Sequence, residues 1–373
     1  MFRIAWDGRG LVGPRTGIGW YTHHLIRGFE ALPEEWSADL YLNHSIADTF
    51  SSRVRPRVFT YANTVRLRGL WENMILPWAL HRHPPDVWHS PLSVVPKKAR
   101  FARVATIHDV AFLRFPHILP REYRKYWTKR IKDSCRNADL LIAVSEATRS
   151  DVFEFFRVDP NRVTVVHEAA DPFYHSAPSP EEVESVRRKH NLPGDFFLFV
   201  GTLEPRKNLS FLLDVYEALH ARREEVPTLA VAGGKGWLQS GIGERLSALG
   251  DKVRPLGYLE RGDLRALYAA STLVMVPSLY EGFGLQAAEA MACGAVVLAS
   301  DVSSLPEVVG EGGLLLPIDG AEPWVDKILE LVDNPSEAER LRRAAGERAR
   351  HFSWERAAVE TLAAYRRAVD LCG

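Results

Sequence analysis

The stretch Pro277-Ser278-Leu279-Tyr280-Glu281-Gly282-Phe283-Gly284-Leu285-Gln286-Ala287-Ala288-Glu289-Ala290-Met291-Ala292-Cys293-Gly294 decides the reading of this chain. An apolar, β-branched run, Thr272 to Val276, precedes it and reads as a buried strand. Gly282 and Gly284 then interrupt regular structure. Leu285 to Ala292 is rich in Ala, Gln and Glu, which favour a helix, and Gly294 stops it. Strand, glycine turn and helix leave N–H groups unpaired at a positive helix end. Such an end suits an anion, above all a phosphate. Two carboxylates bracket it, Glu281 in the loop and Glu289 one turn into the helix.

A second stretch has the same logic. Phe196 to Val200 reads as a buried strand that ends at Gly201. Arg206 and Lys207 follow, just before a helix from Leu209 to Arg222. Cations in that place can neutralise charge developing on a departing diphosphate.

Together these stretches carry a family resemblance. The Glu-x7-Glu spacing from Glu281 to Glu289, set in EGFGLQAAEAMACG, resembles the donor-site motif of the retaining family 4 glycosyltransferases. The phrase GTLEPRKNL, Gly201 to Leu209, resembles their phosphate-binding segment. The resemblance spans nearly the whole chain. It implies an α/β protein of GT-B fold, with two Rossmann-like, doubly wound parallel-sheet domains facing each other across a cleft. Strands alternating with helices twice over give the same class independently.

The resemblance also implies roles. Glu281 would hold the donor sugar's hydroxyls and Glu289 the ribose diol. Arg206, Lys207 and the helix start at Phe283, Gly284 and Leu285 would take the leaving-group charge. Many relatives carry Arg directly after the glycine where this chain has Thr202; either Arg206 supplies that charge or only one of the two adjacent cations reaches the phosphate, and then it is Lys207. Tyr258 and Leu259 match the segment whose backbone frames the base. His108, in Thr106-Ile107-His108-Asp109, matches the histidine beside the donor sugar. Gly17 and Gly19 match the loop near the donor phosphates; from the residues alone they fit close strand–helix packing equally well. His167 to Phe173 resembles a family segment with its Asn-Gly replaced, and no contact is assigned to it. His81, His83 and His89 are read as solvated or capping.

The family's mechanism is front-side transfer with retention, in which a donor phosphate oxygen accepts the acceptor's proton. No metal site and no cofactor are expected; the nucleotide sugar is a co-substrate, GDP-mannose first. Alternatives of other classes are a GT-B sugar-nucleotide epimerase and a non-catalytic nucleotide-sugar binding protein. A Rossmann dehydrogenase fits less well, because Gly17-Ile18-Gly19-Trp20-Tyr21-Thr22 lacks the third glycine.

The whole chain sets bounds on these readings. Its 373 residues suit two domains. Net charge is zero but uneven: residues 1–178 carry 25 Lys+Arg against 18 Asp+Glu, and the remainder 22 against 29. The expected domains are 1–178, joined by a returning helix 354–373, and 179–353. A helix from Pro120 to Ala138 carries Arg121, Arg124, Lys125, Lys129, Lys132 and Arg136 on one face, with Tyr123, Tyr126, Trp127, Ile131 and Cys135 on the other. That basic face is either solvated or a contact, 121–136, with anionic lipid at the inner membrane face or with a lipid-linked acceptor. Nucleic acid is not an expected partner; a glycan or lipid-linked acceptor is. Three cysteines give neither a disulfide framework nor metal spacing. The N-terminus lacks an apolar signal core, and no apolar run nears the ~18–20 residues that span a bilayer. A cytoplasmic protein is expected.

Overall fold

Thirteen strands, all in parallel pairs, form two sheets in the computed structural model, which describes residues 1–61, 65–97, 99–117, 121–234, 236 and 241–372. The first sheet contains β1 (Phe2–Asp7), β2 (Trp36–Leu42), β3 (Val54–Val58), β4 (Val87–Ser90), β5 (Ala102–Ile107), β6 (Leu140–Ala143) and β7 (Val163–Val165). Their order is β3-β2-β1-β4-β5-β6-β7. The second contains β8 (Phe196–Val200), β9 (Thr228–Ala232), β10 (Val253–Gly257), β11 (Leu273–Val276), β12 (Val297–Ser300) and β13 (Gly313–Leu316). Their order is β10-β9-β8-β11-β12-β13. Central strands are short, continuous apolar runs such as Leu140-Leu141-Ile142-Ala143, buried throughout. Helices on both faces of a parallel sheet leave no polar side for alternation. This is a pair of doubly wound, Rossmann-like sheets.

The chain divides into two compact units, Met1–Glu168 with Ser353–Gly373, and Ala169–Phe352. The boundary therefore lies at 168/169 and not at 178. Tyr174 is buried and packs edge-on against Tyr268 of the second unit, ring centroids 6.0 Å apart. Pro180 opens the helix Pro180–Lys189, where Ser179 and Glu182 form a capping box. The C-terminal helix Trp354–Cys372 packs on the helix Gly17–Glu30 and on β5 and β6, all in the first unit.

β3 contains Pro56; it is an edge strand, where a missing N–H is tolerated. Two further expectations need correction. The first helix starts at Gly17, so Gly17 and Gly19 lie in its first turn and not in a loop. On the helix Arg121–Asn137, Tyr123 is exposed, while Arg124 is half-buried and donates to the Pro116 carbonyl at 2.7 Å. Pro120, its expected first residue, lies outside the described residues. Among the described residues no helix is long and apolar enough to cross a membrane.

Candidate active site

β8 and β11 are neighbours in the second sheet, at the point where its strand order reverses. Ligands of open parallel sheets bind beyond the strand ends at such a point. After β8 the chain passes Gly201 and makes a 3-10 turn, Pro205–Lys207, closed by Asn208 in the left-handed conformation, φ 56°. This tight turn lets two adjacent cations point to one place. After β11 comes the glycine-rich loop, stitched to the turn by Leu279 N–H donating to the Arg206 carbonyl at 2.8 Å.

Glu281 is the centre of the site and is buried. Its Oε1 accepts from Lys207 Nζ at 2.7 Å, from Ser278 Oγ at 2.6 Å and from Gln286 Nε2 at 2.7 Å. Its Oε2 accepts from Arg206 Nη1 at 2.7 Å. Arg206 also donates to the Tyr280 carbonyl at 2.8 Å and pairs with Glu204 at 2.6 Å. Adjacent Arg206 and Lys207 thus both reach the site, while Thr202 is exposed. Burial alone would raise the Glu281 pKa. The charges and hydrogen bonds of Lys207 and Arg206 outweigh it and hold the carboxyl at about 2. Burial draws the Lys207 ammonium below the usual lysine range, with Arg206 adding to that and Glu281 opposing it. The cluster balances two cations against two carboxylates, so the protein carries no unpaired buried charge here.

Glu289 lies on the helix Leu285–Ala292 but in different company. Tyr268 Oη donates to its Oε2 at 3.4 Å, and the ion pair Asp171–Arg261 stands nearby. Burial first, and then the Asp171 charge, push its pKa up to about 8. Gly284 caps this helix at φ 99°, and a side chain there would meet Leu305 Cδ2 at 2.9 Å; both demand glycine. Phe283 is buried edge-on against Phe352, and Leu285 is half-buried at the first helical position. Helix geometry leaves the first-turn N–H groups without intrahelical acceptors. Beyond β10, Tyr258 is 76% exposed and Leu259 is buried. The glycine run after β9 includes Lys235, which lies outside the described residues.

In the first unit, His108 follows β5. Its Nε2 lies 3.0 Å from the Pro91 carbonyl and its Nδ1 2.9 Å from Glu168 Oε1. A carbonyl only accepts, so Nε2 carries a hydrogen and donates it to Pro91. Glu168 is buried and belongs to the stretch to which no ligand contact was assigned; it stands where the resembling segment has Asn. Asp171 of the same stretch pairs with Arg261.

Behind His108 runs a buried polar chain. Trp6 Nε1 donates to Tyr365 Oη at 2.8 Å, and Tyr365 Oη lies 2.6 Å from His89 Nδ1. His89 Nε2 lies 2.8 Å from Thr106 Oγ1, which lies 3.0 Å from Tyr21 Oη. Tyr21 meets the His108 ring edge-on at 4.8 Å. Trp6 can only donate, so Tyr365 Oη accepts from it and donates its own O–H to His89 Nδ1, and His89 Nε2–H donates to Thr106. His89 is therefore a buried neutral link, its pKa pushed down to about 3 by burial, and not solvated as expected. His81 and His83 are exposed, His81 bonding the Pro77 carbonyl. A Cβ on Gly19 would stand 2.4 Å from the Gly10 carbonyl oxygen, so close backbone packing accounts for that glycine. A Cβ on Gly17 would meet nothing within 4 Å.

Comparison with known proteins places this geometry. Residues 15–172 match the family model described as Glycosyltransferase Family 4, and residues 182–351 the one described as Glycosyl transferases group 1. The chain is 30% identical over 370 residues to O-antigen chain mannosyltransferase B of Escherichia coli, covering 95% of this chain and 96% of that protein. It is 35% identical over 250 residues to a D-inositol 3-phosphate glycosyltransferase of Nocardioides, covering 62% of this chain and 54% of the relative. Among solved structures, sucrose-phosphate synthase from Thermosynechococcus elongatus superposes with a TM-score of 0.75 at 22% identity, covering 98% of both chains. Anabaena HepE in complex with UDP and glucose does so with a TM-score of 0.71 at 19% identity, covering 97% of this chain and all of that one. These structural likenesses establish the GT-B fold.

Proposed function

The chain belongs to the family 4 glycosyltransferases, and from that premise we propose that it moves a hexose, mannose from GDP-mannose, to a glycan or lipid-linked acceptor in polysaccharide synthesis. Transfer retains the anomeric configuration and needs no metal ion. The name of the Escherichia coli relative, an O-antigen chain mannosyltransferase, supports the sugar and the process.

The observation that carries the reading is Glu281 buried between Arg206 and Lys207 at the strand-order reversal of the second sheet. Both cations are held in place before any ligand arrives, so little reorganisation is needed when charge develops. A donor diphosphate takes up their hydrogen bonds, helped by the helix end at Phe283, Gly284 and Leu285. Glu281, kept ionised, turns its oxygens to the sugar hydroxyls. Glu289 meets the ribose, Tyr258 and Leu259 frame the base, and His108, oriented by Glu168, serves the donor sugar. Gly17, in the first turn of the helix after β1, keeps its proposed place near the donor phosphates. Front-side displacement then follows: the glycosidic C–O bond to phosphate breaks, the acceptor oxygen bonds the same face, and its proton passes to the departing phosphate oxygen.

A peripheral contact with anionic lipid is part of the proposal. It is supported by exposed Arg121, Lys125, Lys129, Lys132 and Arg136, although Lys125 and Lys129 are paired with Glu122 and Asp133. Flotation with phosphatidylglycerol vesicles tests it; equal recovery with neutral vesicles would remove it.

Nucleotide release from GDP-, UDP- and dTDP-sugars, with EDTA present, tests the main reading. Release from GDP-mannose, lost in Glu281→Ala, is the expected outcome, with an α-configured product by NMR. Strict dependence on added divalent metal would overturn the metal-free route. A 2-epimer product would favour the epimerase.

A further inference from the structure

Asp171 lies at the start of the second unit, in the stretch His167 to Phe173 to which no ligand contact was assigned. Its side chain is fixed twice. It accepts from Phe173 N–H at 2.9 Å, capping the 3-10 turn Pro172–His175, and it pairs with Arg261 on the helix Arg261–Ala270. The guanidinium carbons of Arg261 and Arg265 stand 4.9 and 4.3 Å from the centre of the Phe173 ring, and Arg265 donates to Ser176 Oγ at 2.7 Å. These contacts clasp the turn to the helix, so the Asp171 carboxylate is held in one place.

The clasped turn packs on the helix Leu285–Ala292, which carries Glu289. Cys293, at the end of that helix, donates from Sγ to the Tyr174 carbonyl at 3.4 Å, and Tyr174 stands edge-on to Tyr268. Glu289 therefore lies among its own helix, the clasped turn and the helix Arg261–Ala270. It is half-buried, and Tyr268 Oη, at 3.4 Å, is its one hydrogen-bond donor among the described residues. The charges that face it are Asp171 from the turn, Arg261 from the neighbouring helix and Lys207 from the turn after β8; Tyr174, Tyr268 and Cys293 are its neutral titratable neighbours. After burial, Asp171 acts on it most strongly and disfavours a negative Glu289, while Tyr268, Arg261 and Lys207 favour one.

A ribose diol offers two O–H donors, and an ionised carboxylate accepts both; a neutral carboxyl spends one oxygen on its own proton. The ribose contact thus calls for the charged form that Asp171 opposes. We propose that Asp171 is a positioning residue of the nucleotide site: pinned by Arg261 and Phe173, it sets a fixed negative charge against Glu289, loosens the hold of that glutamate on the ribose at neutral pH and so speeds departure of the spent nucleotide. The proposal rests on the glycosyltransferase reading, in which Glu289 meets the ribose, and adds a residue to it.

The test is calorimetric titration with GDP from pH 6 to 9, using wild type, Asp171→Asn and Tyr268→Phe. Asparagine can still cap the Phe173 N–H, and phenylalanine keeps the ring. With its carboxyl at about 8, Glu289 is roughly one-tenth ionised at pH 7, so up to about tenfold in affinity is open to change there. Asp171→Asn should tighten GDP binding about fivefold at pH 7, and the GDP dissociation rate, read by stopped flow, should fall by the same factor. Tyr268→Phe removes a donor and should weaken binding instead. Both differences should shrink toward pH 9, which a merely structural defect would not do. Affinity unchanged or weaker at every pH in Asp171→Asn, or a shift of both variants in one direction, would overturn the proposal. If wild type bound no nucleotide, the donor reading would fall, and carbon-13 NMR of the Glu289 carboxyl, assigned with Glu289→Gln, would decide the coupling separately. Asp171→Asn should move that titration to lower pH; an unmoved titration would overturn the coupling.

Discussion

Glu281 and Glu289 come from one motif, eight residues apart, yet they sit in opposite electrostatic regions. Around Glu281, two cations and two further donors converge, and its carboxyl is held at about 2. Around Glu289, burial and Asp171 prevail over one long bond from Tyr268, and its carboxyl is pushed to about 8. The ligand-free protein therefore presents one glutamate as a fixed anion and the other largely as a neutral acid at pH 7. Residue type and spacing do not set charge; the groups brought around a side chain do.

The sharpest way to break this contrast is Glu281→Gln. It leaves Arg206 and Lys207 without their common anion, and removing one partner of a buried pair costs about 3–5 kcal/mol. Urea denaturation should show a loss of that order, and donor turnover should fall by about 10²-fold or more. A variant as stable and active as wild type would show that the cluster neither supports the fold nor serves the donor.

Glu168→Gln carries the comparison into the first unit, where a third buried carboxylate faces a histidine instead of two cations. Only the hydrogen bond to His108 is weakened, so kcat should fall about tenfold, with donor KM nearly unchanged. Loss of donor KM with kcat retained would make Glu168 a binding group and not an orienting one.

The two motif glutamates should also show opposite pH dependence. Glu281 is lowered from an ordinary 4.5 to about 2, so its contribution to stability holds above pH 4.5 and is lost as pH falls toward 2. Glu289 is raised from 4.5 to about 8, so its contribution holds below pH 4.5 and is lost as pH rises toward 8. Glu289→Gln should therefore flatten the fall in stability between pH 5 and 8 and leave the acid arm intact. Unchanged slopes would mean that Glu289 is ionised in the native protein.

The smallest effect sharpens the contrast further. If Glu289 accepts the ribose hydroxyls as a carboxylate, GDP binding at pH 7 releases up to one proton. Calorimetry in buffers of different ionisation enthalpy should detect it in wild type and not in Glu289→Gln.

Much of the second unit was legible because its signals are local. Gly284 is required by its own φ and by Leu305, and the apolar run before it can only be a buried strand. Lys207 and Arg206 stood out as paired cations between a strand and a helix. Legibility ended where the partner is distant. Glu168 meets His108 across 60 residues of sequence, and Tyr365 reaches His89 across 276. The replaced Asn-Gly read as a lost motif, although its acidic substitute had gained a partner.

The sequence alone determined two parallel α/β layers and the strand–turn–helix units that follow β8 and β11. Those depend on periodicity, glycine geometry and short spacings, which a chain carries locally. Only the tertiary structure decided the boundary at 168/169, the contact of His108 with Glu168 and the opposite pKa shifts of the two motif glutamates. Each of these is set by burial and by groups far apart in the chain, and a low-dielectric interior makes their Coulomb and hydrogen-bond energies large enough to prevail.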